Sequence, residues 1–554
     1  MSDAAAPAGP QKSNETLVVG ASSLGTMFEW YDFFLYGALA GEIARHYFSA
    51  VNETTSFIFA LAAFAAGFIV RPLGALVFGR IGDIVGRKNT FLVTMAIMGL
   101  STFAVGLLPG YDAIGIAAPV ILVLLRLLQG LAIGGEYGGA AIYVAEHAPA
   151  EKRGVQTSWI QTTAVAGLIL SLMVIMAVRS SVAPETFSDW GWRIPFLLSI
   201  FLLAISMWIR LKLSESPVFR KMKEESATSK APFREAFGEW RNLKLVLIAL
   251  FGLVAGQAVS FYASTFYILF FLDRILKVDP FTANVLVTIG LVLGAPFYVL
   301  FGWLSDRIGR KPILMAGLGV AALFYLPLFH ALSAAANPAL VEAQRRAPVV
   351  VSADPAECSL QFDPVGKTKF DRTSCDIAKS LLTRGGVSYR NERAAPGANA
   401  EVRIGDARLS APDPDALSGE EKARAISEFG AAVKSALSAA GYPERADAAR
   451  INRPLTIFII ALFVAIQTMS YGPLAAALVE LFPARVRYTS MSLPYHIGNG
   501  WFGGFLPTTA FAIVATSGNV YSGLWYPIII AGMSFVIGVM FLPETRGREV
   551  HHAP

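Results

Sequence analysis

The chain has 554 residues, of which 54% are hydrophobic and only 16% are charged. Soluble domains carry about a quarter charged residues, so this composition indicates a polytopic membrane protein. The formal net charge is +6, but the basic residues stand in short loops between long apolar runs, where they orient a membrane protein, and nucleic acid is not expected as a partner. The first 13 residues hold no basic cluster before a short apolar run, so no removable signal peptide is predicted.

Twelve stretches are long enough to cross a hydrocarbon core, which takes roughly 20 residues of helix. They lie near 17–41, 56–79, 91–109, 117–146, 156–179, 190–211, 245–272, 282–303, 313–336, 454–480, 488–516 and 521–542. Twelve spans put both termini on one side. The loops on that side are basic, including nine Lys or Arg from Arg210 to Lys244, whereas the short loops on the other side hold little beyond Arg45, Arg179, Arg274 and Lys277. The positive-inside rule therefore predicts cytoplasmic termini.

An internal repeat relates the two halves of the chain. The loop "GRIGDIVGRK" at 79–88 recurs as "GWLSDRIGRK" at 302–311, at an offset of 223 residues. The segment "YGGAAIYVAEHAPAEKR" at 137–153 recurs as "YGPLAAALVELFPARVR" at 471–487, at an offset of 334 residues. The two offsets differ by 111 residues. The second half must therefore contain an insertion of about that length.

Hydropathy places the insertion at 337–453, between spans nine and ten, on the extracytoplasmic side. Both cysteines of the chain, Cys358 and Cys375, fall within it, and an oxidising compartment predicts that they form a disulfide; two free thiols are the alternative. The segment 418–441 opens with capping-box spacing and carries an apolar stripe, which predicts one amphipathic helix. Short β-prone runs, "APVVVSA", "CSLQF", "VSYR" and "AEVRIG", precede it and favour a small α+β domain.

Two halves of six spans, each with a G-x-x-x-D-x-x-G-R-K loop after its second span, resemble the Major Facilitator Superfamily. The finer resemblance is to its metabolite:proton symporter branch, which includes α-ketoglutarate, shikimate, citrate and proline/betaine carriers. It rests on "EWYDFFLYG", "VRPLGALVFGRIGD", "RLLQGLAIGGEYGGA", "ESPVF", "ELFPARVR" and "PETRGRE". The insertion and the segment "SLPYHIGNGWFGGFLP", with His496 and Trp501, depart from that pattern.

The resemblance implies an all-α polytopic membrane protein with twelve transmembrane helices in two pseudosymmetric six-helix bundles, plus the small α+β insertion. The expected units are 1–213, the first bundle; 214–243, a cytoplasmic linker; 244–336, the first three helices of the second bundle; 337–453, the insertion; 454–545, the last three helices; and 546–554, a cytoplasmic tail. A monomer in a bacterial inner membrane is expected.

The resemblance also implies that the repeated loop latches the halves in one state of a transport cycle. Asp83 can accept hydrogen bonds from Arg87 or from a helix N-terminus, and a glycine at Gly82 or Gly86 lets helices turn and approach closely. A basic turn that merely orients the protein is the alternative. The expected gating residues are Gly79, Asp83, Gly86, Arg87, Lys88, Gly302, Asp306, Gly309, Arg310 and Lys311.

Two acids, Glu29 and Asp32, lie three residues apart in the first span and hence on one helical face. Ionisable groups inside spans are costly, and a buried carboxyl group beside a second acid can hold a proton near neutral pH. We expect at least one of the two to couple transport to protons, with Asp32 favoured and Glu29 as its modulator or a structural partner. Glu136 is a further expected proton-coupling residue.

Arg71 and Arg126 are the expected buried cations. Arg126, Gln129 and Gly130 form an R-x-x-Q-G pattern that resembles a motif linked by the family to proton transfer. Each Arg either holds a substrate carboxylate or neutralises an acid such as Asp32 or Glu136. The expected substrate-binding residues are Arg126, Arg71, Tyr36, Gln129, Tyr137, Gln257, Tyr262, Tyr471, His496 and Asn499, although each polar residue of the second half could instead serve helix packing.

Glu146 and Glu480 each precede a proline at a cytoplasmic helix end and are expected to pair with Arg153 and Arg487 in the repeat. No P-loop, metal cluster or nucleophile triad stands in the sequence, so neither an enzyme nor a cofactor is expected. The sequence therefore predicts proton-driven symport of a small organic acid or betaine-like zwitterion. A proton-independent uniporter or exporter, and a sensor that uses the insertion to engage a partner, remain as alternatives.

Overall fold

A computed structural model describes residues 15–49, 63, 66–211, 217–225, 229, 231–359, 370–417 and 419–548. Outside the described residues lie 56–62, 64 and 65 of the predicted span 56–79, residues 214–216 of the predicted linker 214–243, and Ser418 of the predicted capping box. The first 14 and last six residues also lie outside them. Helices account for most of the described chain, and one small sheet lies in the second half.

The first half is helical throughout its described part. Its helices are α1 Glu15–Ala38, α2 Ala40–Tyr47, α3 Arg71–Ile84, α4 Arg87–Leu107, α5 Tyr111–Ile114, α6 Ala117–His147, α7 Arg153–Ser181, α8 Pro184–Asp189, α9 Ile194–Leu211 and α10 Pro217–Glu224. Gly86 separates α3 from α4 with φ 131°, a backbone conformation that favours glycine. The chain can therefore reverse direction within this short loop.

The second half repeats this pattern around the insertion. Its helices are α11 Trp240–Ala249, α12 Ala255–Tyr262, α13 Ile268–Phe270, α14 Pro280–Gly294, α15 Pro296–Ile308, α16 Arg310–Ala336, α17 Pro338–Arg346, α18 Ser374–Arg384, α19 Gly419–Ala439, α20 Arg453–Tyr471, α21 Leu474–Leu481, α22 Arg487–Ile497, α23 Leu506–Ser517 and α24 Trp525–Phe541. Gly309, the repeat counterpart of Gly86, has φ 108° between α15 and α16.

Among the described residues, nine helical stretches are long and apolar enough to cross a membrane. The expected spans near 17–41, 56–79 and 488–516 are not among the nine. The run near 56–79 is only partly described. The run near 488–516 is divided by a π-helical turn at Gly498–Gly503. Other π-helical turns, Leu250–Val254, Ala263–Tyr267 and Phe271–Ile275, interrupt the stretch Trp240–Ile275, and such turns are frequent at functional sites.

The two halves contact each other through corresponding helices of the repeat. Helix α3 of the first half packs on α22 of the second, and α15 of the second half packs on α7 of the first. A Cβ atom added at Gly79 would lie 3.0 Å from the Thr489 Cα, and one added at Gly302 would lie 2.7 Å from the carbonyl oxygen of Gly154, so a side chain at either glycine would collide with the opposing helix. This close approach brings the two repeated loops against the starts of α7 and α22.

The insertion contains a four-stranded sheet of β1 Val349–Ala353, β2 Tyr389–Arg393, β3 Glu401–Ile404 and β4 Ala407–Ser410. The strand order is β2-β1-β3-β4, with β1 parallel to β2 and both other pairs antiparallel. Three of the predicted β-prone runs, "APVVVSA", "VSYR" and "AEVRIG", contain residues of β1, β2 and β3, whereas the sequence did not predict β4 or α18. The predicted amphipathic helix is α19, which buries Phe429 and Val433. Cys358 and Cys375 form the predicted disulfide.

Candidate functional site

Two carboxylates of the repeated loops cap helices of the opposite half. Asp83 accepts hydrogen bonds from the backbone N–H of Tyr488 at 3.3 Å and of Thr489 at 3.0 Å, and from the Thr489 hydroxyl at 2.7 Å. Asp306 accepts bonds from the N–H of Gly154 and Val155, both at 2.8 Å. The first N–H groups of a helix have no intrahelical acceptor, and a negative charge there is favourable. We call these two capped loops together the latch.

Crossed ion pairs reinforce the latch. Arg487 of the second half lies 2.8 Å from Glu146 of the first, and Arg153 of the first half lies 2.9 Å from Glu480 of the second. The expected participants are right, but each Glu pairs with the Arg of the other half rather than with the Arg that follows it in sequence. Arg310 adds a bond to Glu480 at 3.1 Å. The side of the molecule that bears the latch is therefore closed.

The two lysines of the latch loops close helix ends within their own halves. Lys88 Nζ donates to the carbonyl of Leu211 at 3.1 Å, and Lys311 Nζ donates to the carbonyl of Val539 at 2.8 Å. Lysine is suited to this place because the last carbonyls of a helix have no intrahelical donor. The side chain of Arg87 lies outside the described residues. Asp306, by contrast, is held by Arg310 at 2.6 Å.

Glu544, in the closing "PETRGRE" segment, caps the start of α16. Its carboxylate accepts the backbone N–H of Arg310 at 2.9 Å and of Lys311 at 3.1 Å. Partial burial opposes its charged form, but the backbone donors outweigh burial and hold the pKa of Glu544 below its ordinary value. The end of the described chain is thus fastened to the second latch loop.

Above the latch, Arg71 projects into an aromatic cluster. Its guanidinium carbon lies 4.4 Å from the ring centroids of both Phe33 and Phe68. The Tyr262 hydroxyl is a hydrogen-bond neighbour of Arg71, and Nε and Nη2 of Arg71 have no hydrogen-bond acceptor among the described residues. Arg71 is only 1% exposed. A buried guanidinium with free donors and no acidic partner in the described chain is suited to an anionic ligand.

The second half supplies most of the polar groups around Arg71. Tyr471 and Tyr495 share a hydrogen bond at 2.8 Å between their hydroxyl groups, and the Tyr495 ring stacks on Tyr137 with centroids 3.5 Å apart. Tyr471, Tyr495 and His496 interact electrostatically with Arg71. Both ring nitrogens of His496 are buried without a hydrogen-bond partner in the described chain. These residues therefore lie around the Arg71 guanidinium.

Gln257 and Asn499 contact each other beside Tyr495. Asn499 Nδ2 lies 3.5 Å from Gln257 Oε1 and donates to the Tyr495 carbonyl at 3.1 Å. Gln257 Nε2 has no acceptor among the described residues. Asn499 is thus engaged in helix packing, whereas the amide of Gln257 retains a free donor.

Arg126 lies in a second polar group within the first half. It donates to Gln129 Oε1 at 2.5 Å, Gln129 donates to the Thr102 hydroxyl at 2.9 Å, and Asp32 is a hydrogen-bond neighbour of Thr102. The Arg126 guanidinium carbon also lies 4.3 Å from the ring centroid of Tyr36. The R-x-x-Q spacing therefore places Arg126 and Gln129 in one chain of polar contacts that leads to Asp32.

Glu29 and Glu136 lie in a third group with Arg210, a residue that the sequence reasoning assigned to a basic cytoplasmic loop. That assignment is wrong, because Arg210 is 1% exposed. Its Nη1 lies 3.2 Å from Glu29 and 3.6 Å from Glu136. The guanidinium carbon lies 3.5 Å from the Phe91 ring centroid. The guanidinium also fills the space beside Gly25, where any side chain would collide with it.

Comparison with known proteins identifies the family. Residues 22–350 match the Major Facilitator Superfamily, and residues 426–554 match the family "Sugar (and other) transporter". The first match covers more than half of the chain, and the chain belongs to the Major Facilitator Superfamily.

No group of three or more His, Cys, Asp or Glu side chains in the described part of the chain could hold a metal ion.

Two curated relatives are similar over part of their lengths. The chain is 37% identical over 321 residues to the proline/betaine transporter of Escherichia coli K12, covering 56% of this chain and 63% of that protein. It is 35% identical over 321 residues to the alpha-ketoglutarate permease of the same organism, covering 58% and 72%. The match thus spans less than two thirds of the proline/betaine transporter.

The fold is similar to that of the proton:xylose symporter XylE from E. coli, with a TM-score of 0.64 and 14% identity, covering 97% of this chain and 98% of that chain. At this identity, the likeness shows the fold alone.

Proposed function

We propose that the protein is a proton-coupled secondary transporter, in which twelve spans in two six-helix bundles import a small organic acid or zwitterion by alternating access. One observation carries the proposal: Arg71 has free donors and faces an aromatic cluster, whereas the buried acids lie in other polar groups of the first half. Asp32 lies beside Thr102, and Glu29 and Glu136 lie beside Arg210. Anion recognition and proton binding thus have separate residues in one buried region.

The ligand chemistry follows from the cluster around Arg71. A guanidinium binds a carboxylate through two parallel hydrogen bonds, and the aromatic faces of Phe33, Phe68, Tyr262 and Tyr495 suit the cationic part of a zwitterion. Proline, betaine and α-ketoglutarate, the compounds named for the similar proteins, all carry a carboxylate. A carboxylate is therefore the group that we assign to Arg71.

The latch supports alternating access. Both of its carboxylates bind N-terminal N–H groups of the opposite half, so separating the halves on that side breaks these capping bonds together. In the proposed orientation the latch and both termini face the cytoplasm, because the loops on that side are basic. Residues 337–453 then lie outside the cytoplasm, where a disulfide persists.

Uptake into proteoliposomes under an imposed pH gradient tests the proposal, with labelled α-ketoglutarate and glycine betaine as probes. We expect accumulation that collapses with a protonophore. Asp32→Asn should abolish accumulation but leave exchange of internal for external substrate, because the proton site is lost while the substrate site remains. Glu29→Gln should reduce accumulation less.

Arg45→Gln is a control, because the Arg45 side chain is 62% exposed and pairs with Glu42 rather than with any residue of the three polar groups. Accumulation that is indifferent to the protonophore would instead favour a uniporter or exporter. Full transport after deletion of residues 340–450, with loss of binding to a surface partner, would identify a sensory role for the insertion.

A further inference from the structure

We infer that Glu29 and Glu136 share a single proton across Arg210, which forms a second proton site distinct from Asp32. This inference rests on the proposed function for its role in transport, but its chemistry stands on the geometry alone. One guanidinium lies within 3.2 Å of one carboxylate and 3.6 Å of the other. We call these three residues the triad.

Charge balance requires the proton. The side chains of the triad are at most 8% exposed, so a net charge within it would be costly. Two carboxylates and one guanidinium carry a net charge of −1 when all three are ionised. Binding one proton makes the triad neutral, whereas binding two leaves Arg210 without a counter-ion. The triad is therefore stable with one proton.

The geometry leaves the proton free to exchange. Both oxygens of Glu136 and all three guanidinium nitrogens of Arg210 lack a well-directed hydrogen bond in the described chain, so charge rather than a fixed bond holds them. Glu29 and Glu136 also line one small cavity with Thr26, Trp30 and Tyr137. A cavity bounded by two carboxyl groups can hold a water that carries a proton between them.

Of the other charged groups near the triad, Asp32 interacts electrostatically with Glu29, and the rest are engaged elsewhere. On the first helix, Asp32 lies one turn away beside Thr102, and on α6 Arg126 is bonded to Gln129. Helix α7 also packs on the first helix, but its Arg153 is paired with Glu480 and its Arg179 with Glu42. Helix α4 supplies the ring of Phe91, while its Lys88 caps Leu211.

The triad lies between the upper polar groups and the latch. Glu136 stands ten residues beyond Arg126 along α6, which is about 15 Å closer to the latch end of that helix. The Tyr488 hydroxyl donates to the Gly135 carbonyl, and its phenol also acts electrostatically on Arg210. Because the Tyr488 backbone is a latch donor, opening the latch would move this ring away from the triad and admit water to it. The triad is thus placed to release its proton when the latch opens.

Infrared difference spectroscopy of the purified full chain, without substrate, tests the shared proton. A protonated carboxyl group in an apolar site gives its own C=O stretching band, which disappears on deprotonation. We expect the triad to contribute one such band in the unsubstituted protein. Glu29→Gln and Glu136→Gln should each abolish it, because the remaining carboxylate then balances Arg210 one to one.

The double substitution Glu136→Gln with Arg210→Met should restore the band, because it leaves Glu29 buried without a counter-ion. Asp32→Asn is the control and should leave the triad band in place. Thermal unfolding of each variant checks that it folds. If the double variant does not fold, the two single variants still test the shared proton.

Persistence of the band in either Glu→Gln variant would overturn the shared proton, as would its absence from a folded double variant. The measurement needs no transport, so failed accumulation in proteoliposomes would refute symport while leaving the shared proton in place.

Discussion

Replacing Asp83 with asparagine is expected to weaken the latch without changing the size of the side chain. The carboxylate accepts three hydrogen bonds, two from backbone N–H groups and one from the Thr489 hydroxyl. An amide keeps one acceptor oxygen but presents an NH₂ group to donors. Val486, the residue before this helix, provides no side-chain cap of its own, so the orphaned N–H groups have no substitute.

The size of the effect follows from the bonds that are lost. Hydrogen bonds to a charged group contribute about 1.5–3 kcal/mol each, and asparagine retains part of this. A net loss of about 2 kcal/mol would raise the ratio of open to closed latch about 30-fold, since 1.4 kcal/mol corresponds to a factor of ten. The second latch loop, at Asp306, remains intact and keeps most molecules closed.

Alkylation of Ser492→Cys measures this ratio. Ser492 is fully buried against Gly138 at the contact between the halves, so a thiol there reacts only when the latch opens. Both native cysteines are in the disulfide and do not react. We expect the alkylation rate to rise about 30-fold with Asp83→Asn, following the open population, and to be unchanged with the exposed control Asp112→Asn. An unchanged rate in Asp83→Asn would refute the latch.

Three further predictions concern separate parts of the molecule. Arg71→Gln should weaken binding of α-ketoglutarate, followed by isothermal titration, by at least about tenfold, and Arg71→Lys should recover only part of this because a lysine cannot grip a carboxylate at two points. The pKa of Glu544 is lowered in the folded chain, so its stabilising effect is complete above its ordinary pKa and is lost as the pH falls through the lowered value. In thermal unfolding, Glu544→Gln should therefore be less stable than the unsubstituted protein at neutral pH, and the difference should vanish in acid. Substituting Cys358 and Cys375 with serine should increase proteolysis within the insertion, by limited trypsin digestion, while uptake into proteoliposomes is retained.

The repeat in the sequence predicted the latch because its two loops preserve the same residues in register. Asp83 and Asp306 are 223 residues apart, and each caps the start of a helix in the opposite half. The crossed pairing of Glu146 with Arg487 could not be predicted. Each half offers a Glu and an Arg at matching positions, so pairing within a half and pairing between halves fit the sequence equally well.

Arg210 was missed for a related reason. It is the second-last residue of α9 and the first base after a long apolar run. It therefore stands at the boundary of the predicted span 190–211, and the positive-inside rule counted it with the bases of the following loop. A long side chain at a helix end can extend into water or fold back towards the core. The neighbouring helices determine which of these two positions the side chain takes. Here Gly25 leaves space for the guanidinium, and Glu29 and Glu136 balance its charge.

The insertion is attached in a way that is compatible with rocking halves. Its hydrogen bonds to the rest of the described chain reach the second half only; among them, Tyr389 N–H donates to Gly518, Asn391 to Ser517, and Ala446 N–H to Lys277. Ser517 and Gly518 lie where α23 leads to α24, and Lys277 lies before the start of α14, so the insertion is fastened to one half at two separate helix connections. In the proposed cycle it would move with that half as one body, and it would neither brace the two halves together nor oppose the opening of the latch. An insertion fastened to both halves would have to break bonds in every turnover, which is why its one-sided attachment matters for a transporter.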